Sequence, residues 1–155
     1  MTTHVPQSSL SSVSIRVGLD LVAVQSVEDA LRASHRDRYL ERVYTEREVL
    51  DCQTAIGLDA ERLAARFAAK EATLKVLPLA DEGISLRAIE VLREPSGRVR
   101  IELTGRAAAV AAEAGVIDLA LSLTHEGGFA AAVVVAEYRD IDPSAGQPDD
   151  VQDRG

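Results

Sequence analysis

Residues 66–75, RFAAKEATLK, place a carboxylate within the apolar face of a predicted helix. Residues spaced three or four apart share one face of a helix, and here they are Leu63, Phe67, Glu71, Leu74 and Leu77. Glu71 therefore interrupts a predicted core stripe. Because a buried, unpaired carboxylate is costly, Glu71 must shift its pKa, pair with a cation or bind a metal. Lys75, one turn later, is placed to pair with it.

A second unusual segment, residues 14–24 with the sequence SIRVGLDLVAV, predicts a strand interrupted by Gly18 and Asp20. Glycine weakens strands and aspartate is depleted in them, so this strand gives up local stability at two nearby positions. Residues that break a local rule are candidates for function. The plain alternative for the helix is a Glu71–Lys75 salt bridge at the margin of a core.

Together, the strand element Gly18-Leu19-Asp20 and the helix element FAAKEATLK, residues 67–75, resemble the signature of the 4'-phosphopantetheinyl transferase superfamily. Their order and spacing are similar to those of its small holo-acyl-carrier-protein synthase type. The likeness extends to YTERE at residues 44–48 and SLTHE at residues 122–126. It covers about residues 14–138 of the chain.

This resemblance implies transfer of the 4'-phosphopantetheine arm of coenzyme A, as substrate, to a serine of an apo carrier protein, with release of adenosine 3',5'-bisphosphate. It implies Mg²⁺, or Mn²⁺ in its place, with Asp20 and Glu71 as the protein ligands. Magnesium commonly uses one or two carboxylates and completes its shell with water and phosphate oxygens. Glu71, directly or through a metal-bound water, would take the serine proton. Lys75 would offset charge on the leaving phosphate.

Four further residues are candidates for binding coenzyme A. Arg66 and Lys70 lie on one side of the predicted helix, where they either contact nucleotide phosphates or remain solvated surface cations. His125 occupies the position of a Ser-His pair that faces coenzyme A in the family, with a purely structural histidine as the alternative. In this chain the pair is Thr124-His125, which keeps the hydroxyl.

The arginine-rich segment 32–47 carries five arginines against three acids and predicts a docking surface for an acidic partner. The residues assigned to carrier docking are Arg36, Arg38 and Arg42. Two positions depart from the family pattern: Ser26 stands where an arginine is frequent, and Val99 where proline is favoured. These departures affect carrier selectivity and nucleotide contacts more than the metal site.

Length and composition indicate one domain, since 155 residues with 46% hydrophobic content can bury a single core. The net charge of −8 disfavours nucleic acid and anionic membranes as partners. No run has transmembrane length and the N-terminus lacks the pattern of a signal peptide, so we expect a cytoplasmic protein without a membrane partner. The single cysteine, Cys52, is most simply a packing residue.

The patterns predict an α+β domain, residues 14–138, with helices packed on a mainly antiparallel sheet in the order β-α-α-α-β-β-α-β-β. Tails 1–13 and 139–155, the latter acidic, are predicted to be disordered. Helices are expected near 26–33 and 35–43, from Thr45 to about Ala55, from Asp59 to Pro78, and over 105–114. Hairpin strands are expected near 84–93 with 98–104, and 117–124 with 129–137.

The resemblance also implies a homotrimer with coenzyme A at the subunit interfaces, in which the half-solvated strand 98–104 and the alanine-rich segment 107–114 would bury further area. Two hypotheses of other classes remain. One is a noncatalytic carrier-binding or assembly subunit that retains the fold, and the other is a structural domain without a site. The sequence does not decide whether the carrier serves fatty-acid, polyketide or peptide biosynthesis.

Overall fold

The fold was analysed in a computed structural model, which describes residues 13–78 and 83–139. The helices are α1 Val24–Arg32, α2 Arg36–Val43, α3 Glu46–Asp51, α4 Ala60–Val76 and α5 Gly105–Glu113. The strands are β1 Val13–Ala23, β2 Gln53–Thr54, β3 Gly57–Leu58, β4 Ile89–Arg93, β5 Val99–Leu103, β6 Val116–Glu126 and β7 Phe129–Arg139. A 3-10 turn, Leu86–Ala88, precedes β4.

Three long strands form an antiparallel sheet in the order β1-β7-β6, and β4 with β5 forms a separate antiparallel hairpin. The register of β1 places Gly18 opposite Val134 and Asp20 opposite Ala132. The predicted α+β class is confirmed. The predicted tails lie outside the described residues except at Val13 and Arg139, which pair with each other at the end of the sheet.

All five expected helices are present, so the predicted order β-α-α-α-β-β-α-β-β is one helix short before the β4–β5 hairpin, and the short β2–β3 pair is an addition to it. The predicted helix from Thr45 ends at Asp51 rather than near Ala55. Its start is as expected, because Thr45 and Glu48 form a capping box. The chain then turns back, and the hydroxyl of Thr54 donates to the carbonyl of Gly57 at 2.7 Å.

Helix α4 lies on the sheet through small side chains rather than through the predicted large ones. Its fully buried face includes Leu63, Ala64, Ala68, Ala69, Ala72 and Val76. Phe67, Glu71 and Leu74 are only half-buried, so the expectation that Glu71 lies within the core stripe is wrong. Alanine side chains are small, so helix and sheet approach closely along the alanine face of α4. Glu71 lies beside this face, at the margin of the core.

The closest approach of α4 to β1 is at Gly18. A Cβ atom at this position would overlap the carbonyl oxygen of Ala72 and would lie 3.0 Å from Cγ1 of Val76. Since the nearest atom belongs to helix backbone, no side-chain rotation relieves the overlap. Gly18 is therefore required by the helix that lies on it, which explains why the strand accepts a weak β-former.

We predict that Gly18→Ala destabilises the fold by ~3 kcal/mol, because the added methyl must push α4 away from β1. Equilibrium urea denaturation measures the change. Ser14→Ala is the matched control, since Ser14 lies on the same strand and is exposed. A Gly18→Ala protein that unfolds at the wild-type urea concentration would contradict the contact.

Candidate active site

The strand and helix motifs meet through an ion pair between Asp20 and Lys75. Asp20 lies on the face of β1 that α4 covers, two residues beyond Gly18. The Nζ atom of Lys75 donates to Oδ1 of Asp20 at 2.9 Å and to the carbonyl oxygen of Leu19 at 2.6 Å. The side chain of Asp20 is 19% exposed and that of Lys75 is 52% exposed. Residues 55 positions apart in sequence thus form one polar cluster.

Glu71 is the third member of this cluster. Burial raises the pKa of Glu71 above its ordinary value, the negative charge of Asp20 raises it further, and the ammonium of Lys75 acts in the opposite direction. Glu71 lies one helical turn before Lys75 on α4, and its negative charge and that of Asp20 repel each other. A cation between them would relieve this repulsion.

The donor chemistry of the cluster suits a hard divalent cation. Two carboxylates offer the oxygen ligands that Mg²⁺ prefers, and their partial exposure leaves room for water or phosphate oxygens. Among residues 13–78 and 83–139, no group of three or more histidine, cysteine, aspartate or glutamate side chains is placed to hold a metal. The protein contribution would therefore be Asp20 and Glu71 alone, which is within the usual range for magnesium.

The structure contradicts both sequence-based interpretations of Lys70, that of a phosphate ligand and that of a solvated surface cation. Lys70 is fully buried. Its ammonium lies 2.7 Å from Oε2 of Glu48 and donates to the carbonyl oxygens of Leu86 and Ile89 at 2.9 and 2.6 Å. Burial lowers the pKa of Lys70, and the charge of Glu48 opposes this shift. With three protein acceptors and no exposed surface, Lys70 fastens α4 to the start of β4.

Glu48 is the residue that sequence reasoning missed. Its capping role was visible in the Thr45–Glu48 spacing, but the same carboxylate also accepts from the amide of Val91 at 2.8 Å and pairs with Lys70. Both Glu48 and Lys70 have no exposed surface. A charged residue in a capping box is ordinarily at the surface, so its pairing with a lysine 22 positions later has no local signal.

Arg66 is also buried, at 4% exposure, so the interpretation as a solvated surface cation is wrong. Its Nη2 lies 3.6 Å from Oδ2 of Asp51, and its Nη1 donates to the carbonyl of Arg62 at 3.3 Å. The Nε atom is buried without a hydrogen-bond partner among the described residues. A contact between Arg66 and a nucleotide phosphate stays a prediction.

Strand alternation separates Thr124 from His125. His125 pairs with the buried Ala130 and thus lies on the α4 side of the sheet, where its Nδ1 is 3.4 Å from Oε2 of Glu61. Thr124 lies on the opposite face. Within one subunit the two side chains therefore do not face the same side of the sheet. Their roles toward coenzyme A stay predictions.

The docking arginines lie on α2, and all three are exposed. Nη1 of Arg36 is 3.5 Å from the carboxylate of Asp37, whereas Arg38 and Arg42 line an open cavity of about 720 Å³. The cavity lies between α2 and residues 83–87, and Arg87 adds a further cation to its wall. The lining also includes apolar side chains and one acidic residue, Glu41.

Cys52 is fully buried, and burial raises the pKa of its thiol to about 11, which agrees with a packing role. In the described part of the chain no helix is both long enough and apolar enough to cross a membrane.

The fold, with β1 and α4 joined through the Asp20–Lys75 pair, is that of a phosphopantetheinyl transferase domain, and the family model described as the 4'-phosphopantetheinyl transferase superfamily matches residues 16–134. The chain belongs to this superfamily. Within it, the holo-[acyl-carrier-protein] synthase of Moorella thermoacetica is 38% identical over 79% of this chain and 94% of its own length. That of Gloeobacter violaceus is 40% identical over 77% and 89%.

A solved structure described as the Chronobacterium ammoniagenes ACPS-CoA complex superposes with a TM-score of 0.71. It is 33% identical, and the match covers 82% of this chain and 99% of that one. These similarities confirm the family inferred from the sequence and its enzymatic class, that of the holo-[acyl-carrier-protein] synthases.

Proposed function

We propose that this chain transfers the 4'-phosphopantetheine group of coenzyme A to a serine of an apo acyl carrier protein and releases adenosine 3',5'-bisphosphate. The observation that carries the proposal is the convergence of Asp20, Glu71 and Lys75 at the junction of β1 and α4. Relatives named holo-[acyl-carrier-protein] synthase and a neighbour complexed with CoA support it.

The chemistry requires control of negative charge. The bond to be broken lies in a pyrophosphate, which the two carboxylates would repel. A Mg²⁺ ion held by Asp20 and Glu71 would neutralise charge on the pyrophosphate oxygens. Glu71, whose pKa is raised by burial and by Asp20, is suited to accept the serine proton. The half-exposed ammonium of Lys75 can reach the leaving phosphate and stabilise its charge.

A noncatalytic carrier-binding subunit is the second candidate, and the departure at Ser26 is the observation that favours it. Ser26 stands on α1 at the position where an arginine is frequent in the family, and its side chain is exposed. Against this candidate, Asp20 and Glu71 are retained and face the same cluster as Lys75. The two hypotheses differ in one measurement, the mass of an apo carrier after incubation with coenzyme A and Mg²⁺.

We predict that Asp20→Ala and Glu71→Gln each lower the rate of transfer by roughly 100-fold or more while the protein remains folded. Each change removes a charge from the partly exposed cluster rather than an apolar group from the core. Intact-mass spectrometry of the carrier measures the rate, and thermal melting checks the fold. Wild-type transfer should also stop in excess chelator and resume with Mg²⁺.

Glu113→Gln is the matched control for this experiment, because Glu113 is an exposed glutamate on α5, outside the cluster. It should transfer at the wild-type rate. Full activity of either cluster variant, or of the wild type in chelator, would disprove the metal site. Absence of transfer in the wild type with every apo carrier would favour the noncatalytic alternative.

We further propose that the carrier docks on α2, through Arg36, Arg38 and Arg42. Arg38, Arg42 and Arg87 outnumber the single carboxylate, Glu41, in the lining of this cavity, and its cationic and apolar side chains fit an apolar side chain flanked by acids. Such a surface steers an acidic partner by long-range attraction. Helix α1 contributes little positive charge, because its Arg32 is paired with Glu28 at 2.9 Å.

The double charge reversal Arg38→Glu with Arg42→Glu should raise the KM for the carrier by about tenfold and leave the KM for coenzyme A within about twofold. Steady-state kinetics over a range of ionic strength measures both constants. Arg62→Glu is the control, because Arg62 is a 51% exposed arginine on a different helix. Equal changes in both KM values, or a carrier KM that does not depend on salt, would contradict docking on α2.

We also propose that the chain acts as a homotrimer, and the exposed face of β1 supports self-association. Five apolar residues alternate along β1 with 50–64% of their surface exposed, namely Val13, Ile15, Val17, Leu19 and Leu21. A monomer rarely leaves such a continuous apolar face uncovered. The expected contact through α5 is less favoured, since Ala107 and Ala111 are already buried within the subunit.

We predict that light scattering gives a mass near three times 16.6 kDa. Val17→Glu should dissociate the assembly, because it buries a charge in the interface. Ile56→Glu is the control, since Ile56 is fully exposed but lies on the β2–β3 turn, away from β1. A fully active monomer would exclude a coenzyme A site shared between subunits. The cytoplasmic location and the metabolic pathway of the carrier stay predictions.

A further inference from the structure

Lys75 already offsets one of the two negative charges at the proposed metal site. Its ammonium donates to the same Asp20 carboxylate that would coordinate Mg²⁺ and to the adjacent carbonyl of Leu19. With Lys75 in place, the cluster of two carboxylates carries a net charge of about −1 instead of −2 when all three groups are ionised. A less negative site binds a divalent cation more weakly.

The other lysine on α4 provides a comparison. Lys70 is fully buried and has three protein acceptors, so its position is fixed by packing. Lys75 is half exposed, near the end of the helix, and both its acceptors lie on one strand. Only rotations about the flexible side chain of Lys75 are needed to turn its ammonium from β1 toward solvent.

We propose that the ammonium of Lys75 and a divalent cation are alternative counter-ions of Asp20, and that coenzyme A binding draws Lys75 from Asp20 to the pyrophosphate. This inference rests on the proposed metal site. Removal of the ammonium from Asp20 restores the full negative charge of the two carboxylates, so the affinity for the metal rises. Because such coupling is reciprocal, the metal also raises the affinity for coenzyme A by the same factor.

The experiment measures metal binding directly rather than activity. Mn²⁺ is titrated into coenzyme A-free protein, and free Mn²⁺ is followed by electron paramagnetic resonance. Lys75→Met should bind Mn²⁺ roughly tenfold more tightly than the wild type, because the competing charge has been removed. Lys75→Arg keeps the charge and should bind close to the wild-type value. Addition of coenzyme A should increase the affinity of the wild type more than that of Lys75→Met.

Two further variants locate the effect. Arg62→Met removes a similarly exposed cation, 51% against 52%, from the first turn of the same helix and should leave Mn²⁺ affinity unchanged. The double variant Asp20→Asn with Lys75→Met should bind Mn²⁺ more weakly than Lys75→Met alone, because the carboxylate of Asp20 is a proposed metal ligand. Thermal melting confirms that each variant is folded.

The outcomes separate this inference from the metal site on which it rests. If the wild type binds Mn²⁺ with coenzyme A but Lys75→Met shows no gain without coenzyme A, the counter-ion exchange is wrong and the metal site stands. If Arg62→Met gains as much Mn²⁺ affinity as Lys75→Met, the affinity depends only on the net charge of the protein. This result would also contradict the counter-ion exchange. If no protein binds Mn²⁺ even with coenzyme A, the metal site and the exchange both fail.

Discussion

The contact between Gly18 and the backbone of Ala72 is the constraint on which the site depends. Because no side chain separates β1 from α4 at this point, Asp20 on the strand comes within reach of the last turns of the helix. The alanines of α4 extend the same close packing along β7. The hydroxyl of Tyr138 donates to the carbonyl of Val76 and joins the end of the helix to the sheet. The glycine that weakens the strand locally thus determines where the carboxylates meet.

Two ion pairs on α4 illustrate how burial decides the role of a charge. The pair between Lys70 and Glu48 is removed from water and satisfied on nearly every side by backbone groups, so it fixes the position of the helix. The pair between Lys75 and Asp20 remains partly exposed and contributes less to stability. Lys75 and Asp20 can therefore each take a different ionic partner when a more strongly charged ligand binds.

Much of the fold could be predicted from local sequence signals. The Thr45 and Asp59 caps, Pro78 and the turn glycines define element ends through backbone geometry, and the glycine and aspartate of β1 marked the site because they are unfavourable in a strand. Long-range packing could not be predicted this way. Helical periodicity predicts the wrong face for Glu71 because alanines form the core of α4. The burial of Lys70 has no local signal, because its partners, Glu48 and the carbonyls near β4, are distant in sequence.

The distribution of lysines has a practical chemical consequence. The chain contains only two, both on α4, and fifteen of its seventeen basic residues are arginines. Amine-directed reagents reach neither arginine side chains nor the enclosed Lys70, so apart from the amino terminus the accessible primary amine is that of Lys75. A fluorophore or an isotopically labelled methyl group can therefore be attached beside Asp20 on the unaltered sequence, and the amine of Lys75 gives spectroscopy direct access to this cluster.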